Sequence, residues 1–322
     1  MLDLAPKCAR IARTAHCGRE LLVAVHNLSK RYGRATVVAD VTLALWSGEI
    51  CGFVGANGAG KTTILRMLAG ILKPDGAAGQ VLGFDLRRDA EEIRERVGYM
   101  SQRLSLYPEL SVFENLRFRA AIYGLRNPRA AVECAIGEFG LVPWAGSTAG
   151  SLSGGWARRL QLAASLLHSP RLVLLDEPTA GLDAAARQDV WRRVERLAAA
   201  GAGVIVCTHD LVEAERCSCA ALFAAAQIVA VGAPAEIAAG ARVAVFLLCG
   251  SNVRRLAKDV TAVAGVLASS PEGESLRVVA YPLAEPDLRR FAATRAASLA
   301  RLGPRLDDAV LARSLLMGRQ QT

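Results

Sequence analysis

No C-x-x-C pair occurs among the eight cysteines, Cys8, Cys17, Cys51, Cys134, Cys207, Cys217, Cys219 and Cys249. They are scattered, and most sit in apolar runs. That argues against a disulfide framework and reads as buried free thiols in a reducing compartment. Cys8, His16 and Cys17 lie close together, but no second ligand pair follows at usable spacing, so no structural zinc is expected. The chain also lacks a long apolar run. Its most tempting stretch, Cys217 to Pro234, contains Gln227 and closes on Gly232 and Pro234. It is shorter than the roughly 20 residues a membrane helix needs, and two buried strands explain it better. Residues 1–20, MLDLAPKCARIARTAHCGRE, have no continuous apolar centre and carry charges throughout. They read as a mobile extension, not a signal peptide. Internal repeats and heptad runs are absent. Lysine is scarce, at five of 39 basic residues, a bias that genome composition alone can produce.

What is present is an excess of positive charge and enough apolar mass for a core. The net charge of +9 fits anionic partners, whether nucleotides, an anionic membrane face or nucleic acid, without choosing among them. A chain of 322 residues, 52% of them hydrophobic, is ample for one large α/β domain plus a smaller one.

Residues 21–54 hold strand-like pieces, LLVAVHNL, VVADVTLALW and EICGFVG, punctuated by Gly33 and by Ser47-Gly48. Residues 60–72 switch to helical period, with Ile64, Leu65, Leu68, Ile71 and Leu72 on one face and Pro74 and Gly76 ending the run. A strand is expected near Val97–Met100. Mostly helical pattern follows from Ser111 to Leu167, broken at Asn127-Pro128 and around Pro143. Two apolar strands, LVLLD (172–176) and VIVCTH (204–209), flank a helix with Val190, Val194, Leu197 and Ala198 on one side. Continuous apolar strands alternating with helices predict a mainly parallel core sheet. After about Gly240 the pattern changes. RVAVFLL, a polar helix near 252–263, the turn PEGES, LRVVAY and a helix near 285–302 suggest a small α+β appendage.

GANGAGKT, Gly55 to Thr62, fits a phosphate-binding loop, because it follows a strand and opens a helix. Gly58 and Gly60 let the backbone curl so that its N–H groups point inward, and the helix start adds positive potential. Lys61 is expected on the β- and γ-phosphates and the Thr62 hydroxyl on Mg²⁺. Gly55, Asn57, Gly58, Gly60, Lys61, Thr62 and Thr63 are therefore the expected nucleotide contacts. LVLLDEP ends a buried strand in two acids at the carboxyl edge of the sheet, where ligands of open α/β sheets bind. Asp176 is placed to hold Mg²⁺ through water, and Glu177 to orient or deprotonate the attacking water. A second glycine-led helix start, Leu152-Ser153-Gly154-Gly155, precedes Leu160, Ala163, Ala164 and Leu167 on a buried face. A simple N-cap serine is one reading. The other is a pair of subunits in which Ser153, Gly154 and Gly155 of one close over the γ-phosphate held by the other.

With these motifs in this order, residues 22 to about 238 resemble the ATP-binding subunits of ABC transporters. The resemblance implies a P-loop NTPase core with a mainly parallel sheet, an antiparallel β part before it and a helical signature subdomain over about 103–168. It implies ATP and Mg²⁺ as ligands and hydrolysis as the reaction. Tyr32 in SKRYG matches the aromatic residue that stacks on adenine. Gln102 in GYMSQ matches the loop glutamine that contacts Mg²⁺ and water and senses the membrane partner. Asp183 in AGLD matches the loop that speaks across the dimer, and His209 in CTHD the switch histidine on the γ-phosphate. Trp156 stands where the signature usually has Gln, a change seen in similar exporter ATPases. GYMSQRLSLYPELSVFENLRFRAAIYGL resembles the type-2 exporters of drugs, polysaccharides and polyketides, and PRLDDAVLARSL resembles the end of their accessory domain. The expected division is an N-terminal extension over 1–20, an ATPase domain over 21–239 and an accessory domain over 240–322. The expected partners are a second ATPase subunit and an integral membrane permease, contacted near Gln102 to Pro108, at the cytoplasmic face of the membrane. No specific nucleic acid is expected. A ribosome- or nucleic-acid-directed ATPase, an importer ATPase and a binding module without turnover are the alternatives.

Overall fold

The computed structural model describes residues 18–250 and 253–318. The Cys8, His16 and Cys17 group, with most of the expected N-terminal extension, lies outside them. The chain divides into two compact units at Val231/Gly232.

In the first unit, β1 (Leu21–Tyr32) and β2 (Ala35–Trp46) form an antiparallel hairpin through Gly33. β3 (Ile50–Gly55) then leads into α1 (Lys61–Leu68). β4 (Gly76–Val81) and β5 (Phe84–Asp85) complete a four-stranded sheet in the order β2-β1-β4-β5. α2 (Ala90–Arg96), β6 (Val97–Met100), α3 (Val112–Ile122), α4 (Pro128–Glu138), α5 (Gly154–Leu166), β7 (Leu172–Asp176) and α6 (Ala184–Ala199) follow. β8 (Gly203–Thr208), α7 (Leu211–Glu215), β9 (Cys219–Ala224) and β10 (Gln227–Gly232) end the unit. The central sheet has the order β10-β9-β3-β8-β7-β6. Its β9–β3, β3–β8, β8–β7 and β7–β6 pairings are all parallel. Parallel strands share one carboxyl edge, so the segments after β3, β6, β7 and β8 emerge side by side, and that edge carries the candidate site.

β3, β7 and β8 are buried almost throughout, as their continuous apolar runs require. Leu160, Ala163 and Ala164 of α5 are buried as expected, as are Val190, Val194 and Ala198 of α6, joined there by Trp191. Other expectations are corrected. α1 stops at Leu68, before the expected Pro74, because Gly70 turns the chain with φ 67°. Ile71 is consequently exposed, and Met67 takes its place in the core. β4 was hidden by its glycines. Gly79 is needed because a Cβ there would come 2.0 Å from the Ala24 carbonyl oxygen on β1. Of the two strands expected in the apolar stretch, β9 is buried but β10 is half-buried. Cys51, Cys207 and Cys217 are buried free thiols, whereas Cys134 is exposed. Among the described residues, no helix is long and apolar enough to cross a membrane.

The second unit contains α8 (Pro234–Ala239), β11 (Ala244–Cys249), α9 (Val253–Val260), β12 (Val266–Glu272) and β13 (Ser275–Ala280). It continues with α10 (Glu285–Ala293), β14 (Ser298–Leu302) and α11 (Leu306–Gly318). From β11 to β14 the connectivity is βαββαβ and the sheet order is β12-β13-β11-β14, the ferredoxin-like arrangement. Phe246, Leu248, Leu276 and Val278 on one sheet face pack with Leu256 and Val260 of α9 and with Leu288 and Phe291 of α10. On β13, Arg277 Nη2 donates to Asp308 Oδ2 of α11 at 2.6 Å, and its Nε donates to Oδ1 at 3.0 Å. The helix expected over 285–302 ends at Ala293. Residues 298–302 instead pair antiparallel with β11, Val245 opposite Leu302. A sheet edge offering backbone partners overrides the helical propensity of this alanine-rich segment.

Candidate functional site

The loop between β3 and α1 is shaped by its glycines. Gly58 and Gly60 have φ 80° and 94°. A Cβ at Gly60 would come 2.4 Å from the Val37 carbonyl oxygen, so only glycine fits there. Lys61 is 6% exposed. Its Nζ donates to the Gly55 and Ala56 carbonyl oxygens at 2.6 and 2.9 Å, which folds the ammonium back over the loop. The amides at the start of α1 and this ammonium leave a concave, electropositive turn. Asn57 is exposed and Thr63 half-buried. Tyr32 ends β1 with half its surface exposed, and Lys30 Nζ lies 5.9 Å from its ring centre.

Asp176, the last residue of β7, is buried and its Oδ2 has no hydrogen-bond partner. Burial pushes its carboxyl up from the usual range, partly offset by a hydrogen bond from Thr62. Glu177 follows in a left-handed conformation, φ 49°, a strain of about 1 kcal/mol or more for a non-glycine residue. Its amide donates to the Cys207 carbonyl oxygen at 3.0 Å. The turn aims its carboxylate between two other candidates. Gln102 Nε2 donates to Glu177 Oε2 at 3.3 Å, and His209 Nδ1 lies 3.1 Å from Glu177 Oε1. Gln102, Glu177 and His209 thus converge from the ends of β6, β7 and β8, although 75 and 32 residues separate Glu177 from the other two.

Ser153 occupies the N-cap position of α5, but its side chain makes no capping hydrogen bond. A Cβ on Gly154 would meet nothing within 4 Å, and one on Gly155 only Leu182 Cδ2 at 3.7 Å. Asp183 caps α6 by accepting from the Ala186 amide at 2.8 Å.

Two functional candidates escaped sequence reading. Arg158 and Gln161 are polar residues on the buried face of α5, 6% and 2% exposed. Arg158 Nη1 donates to the Gln102 carbonyl oxygen at 2.6 Å, and Nη2 donates to that of Glu177 at 2.8 Å. Burial pulls the guanidinium pKa down, opposed by the nearby Asp176 and Glu177. Their spacing, three apart amid Leu160 and Ala164, is the only sequence signal of that shared face.

A strand–loop–helix phosphate cradle with an acid-ended strand two places along the same parallel sheet defines a P-loop NTPase fold. The sequence profile of the ABC transporter family matches residues 38–180. A Nod factor export ATP-binding protein of Cupriavidus metallidurans is 37% identical over 219 residues, 67% of this chain and 72% of that protein. The chain belongs to the ABC transporter family. A probable multidrug ABC transporter ATP-binding protein of Escherichia coli is 36% identical over 222 residues, 68% of this chain and 38% of that protein. A daunorubicin resistance ATP-binding protein of Streptomyces coeruleorubidus is 37% identical over 196 residues, covering 60% and 62%. The chain thus spans from about two fifths to three quarters of the length of such relatives. Among solved structures, the ATP binding subunit of an ABC transporter aligns with TM-score 0.63 and 31% identity, over 68% of this chain and 92% of that one. A dimeric ATP-binding cassette bound to ADP and Pi shares the fold at TM-score 0.61 and 23% identity, over 66% and 98%.

Proposed function

We propose that this chain binds and hydrolyses ATP as one of two ATPase subunits that power export through a separate membrane permease. The observation that carries this reading is the meeting of Gln102, Glu177 and His209 beside the phosphate loop. In this reading Gly55, Asn57, Gly58, Gly60, Lys61, Thr62 and Thr63 hold the phosphates, and Tyr32 stacks on adenine. Glu177 orients the attacking water and accepts its proton. Gln102 and His209 fix the two carboxylate oxygens, so the acid needs little reorganisation as the reaction begins.

The residues present fit a divalent cation. The buried, unpartnered Oδ2 of Asp176 and the adjacent Thr62 hydroxyl are hard oxygen donors, and Gln102 bonds the next residue, Glu177. Thr62, Gln102 and Asp176 would hold Mg²⁺, which would neutralise charge on the β- and γ-phosphates.

The free Ser153 hydroxyl and the unobstructed backbone at Gly154 and Gly155 support a partner's γ-phosphate as their target, and Asp183 follows Leu182, which lies next to Gly155. Residues 21–239 would be the ATPase domain, 103–168 its signature subdomain and 240–322 an accessory domain. Leu104 and Tyr107, 51% and 46% exposed, offer apolar purchase to a permease at the cytoplasmic face. The multidrug, Nod factor and daunorubicin relatives favour export over import. The test is Glu177→Gln. ATP hydrolysis should fall by about a hundredfold or more while ATP binding persists. The variant should also run as a dimer on a sizing column with Mg-ATP and co-purify a polytopic permease from detergent-solubilised membranes. A monomer under those conditions would refute the paired arrangement, and ribosomal proteins or nucleic acid in place of a permease would refute transport.

A further inference from the structure

We infer that Arg158 is a positioning residue that makes the Ser153-Gly154-Gly155 helix start, the Gln102 loop and the Glu177 turn move as one piece. Engagement of a partner's nucleotide at that helix start would then be transmitted to the Glu177 carboxylate of the same subunit. This rests on the paired-subunit reading of the proposed function.

The argument begins with cost. An arginine 6% exposed on the packed face of a helix, with Leu160 and Ala164 beside it, forfeits hydration that an aliphatic side chain would never need. Arg158 hydrogen-bonds no carboxylate in return, and its Nε has no partner among the described residues. Its shortest bonds go to backbone carbonyls of two separate loops, Gln102 at 2.6 Å and Glu177 at 2.8 Å. A planar fork can hold two diverging carbonyls at once, which a lysine ammonium on a flexible stem does not reproduce. The targets are also telling. Both carbonyls belong to residues whose side chains meet each other, and Glu177 is held in a left-handed conformation that needs outside support.

Gln161 reinforces the tie. Its Oε1 accepts from Arg158 Nη1 at 3.2 Å, while its Nε2 donates to the Ser101 and Arg103 carbonyl oxygens at 3.1 and 2.9 Å. One rigid helix therefore presents a free N-terminus to the outside and, from its interior turns, grips both loops that set Glu177. A shift of α5 has to displace Gln102 and Glu177 with it, and displacements of this kind at a reacting group are large in rate.

The experiment compares Arg158→Met, Arg158→Lys and Gln161→Leu with the wild type, in the full chain. Arg158→Met should lower kcat for ATP by about tenfold to a hundredfold. KM for ATP should stay within about threefold, because the phosphate loop is untouched. The Hill coefficient for ATP should drop toward one. In nucleotide-free protein, hydrogen exchange should rise over residues 101–105 and 177–180 and nowhere else. Arg158→Lys should fall between Met and wild type, and Gln161→Leu should loosen 101–105 alone. The inference is overturned if kcat and the Hill coefficient do not change, or if the wild type itself has a Hill coefficient near one. It is also overturned if kcat and KM decline together with exchange raised across the whole first unit, which is plain loss of folding. A wild type that turns over no ATP would sink the proposed function instead. The exchange data would still decide whether Arg158 joins the two loops.

Discussion

At the start of α1 a Cβ on Gly60 would come 2.4 Å from the Val37 carbonyl oxygen, and at the start of α5 a Cβ on Gly154 would meet nothing within 4 Å. Both helices open on glycine, and both starts offer amides to an anion, yet the demand for glycine comes from different places. Around Gly60 the demand is internal. β2 crowds the turn and φ is 94°. Around Gly154 the chain itself asks for nothing, and the proposed function gives the missing side chain to something that approaches from outside. In the proposed function one start holds a ligand and the other is left open to meet one.

Gly60→Ala tests the internal demand and should have the largest effect. The methyl must move a backbone carbonyl and adopt a left-handed conformation, so the first unit should lose about 3 kcal/mol, with Tm down by roughly 5–10 °C. ATP binding by calorimetry should be lost with it. Retained binding and an unchanged Tm would erase the contrast between the two starts. Gly154→Ala should do the reverse. Stability should hold or rise slightly, since alanine suits a helix better than glycine. ATPase activity should nevertheless fall by about tenfold or more, because the methyl obstructs the approach of a partner's phosphate. Full activity in this variant would leave the open start without a role.

How much of this was legible in the sequence differs between the two starts. The β3–α1 turn declared itself through eight consecutive residues, and the apolar run of β7 fixed the acid at a strand end. Gln102, Asp183 and His209 were different. Each is a single polar residue after a strand or before a helix, and local physics gives no reason to prefer it. Only the order of motifs singled them out, and the meeting of Gln102 and His209 at Glu177 is a tertiary fact. Arg158 and Gln161 were invisible because a polar residue on a helix is ordinarily assigned to the wet face. β4 and β14 were missed because their residues are chosen for a neighbour's backbone: Gly79 yields to Ala24, and 298–302 answers to β11.

The far end of α5 is closed where its start is open, and pH separates the two. His168 stacks on Tyr123 with ring centres 3.7 Å apart. Burial lowers its pKa from 6.5 to about 4, against a smaller opposing contact with the Val97 backbone. The unfolded chain therefore takes up the proton first as pH falls. The stabilisation is complete above about 6.5 and lost between there and about 4, on the order of 2 kcal/mol after allowing for partial solvent access. His168→Phe keeps the stack and removes the proton. Urea unfolding at pH 7 and pH 4.5 should show a pH-dependent loss smaller by about that amount in the variant. An identical loss in both proteins would mean that this end is not closed.

The smallest effect concerns two serines at the same helix position. Ser111 caps α3 with its hydroxyl accepting from the Glu114 amide at 3.1 Å, while Glu114 Oε2 accepts from the Ser111 amide at 2.8 Å, a reciprocal capping box. Ser153 occupies the same place on α5 and bonds nothing on its own helix. Ser111→Ala should therefore cost about 1 kcal/mol, and Ser153→Ala no more than a few tenths, by denaturant unfolding of otherwise identical proteins. The pair also separates in function. Ser153→Ala should slow ATP turnover severalfold without touching Tm, whereas Ser111→Ala should lower Tm and leave turnover per folded molecule unchanged. A stability cost at Ser153 equal to that at Ser111 would make it an ordinary cap, and the open start of α5 would then be explained by its own helix.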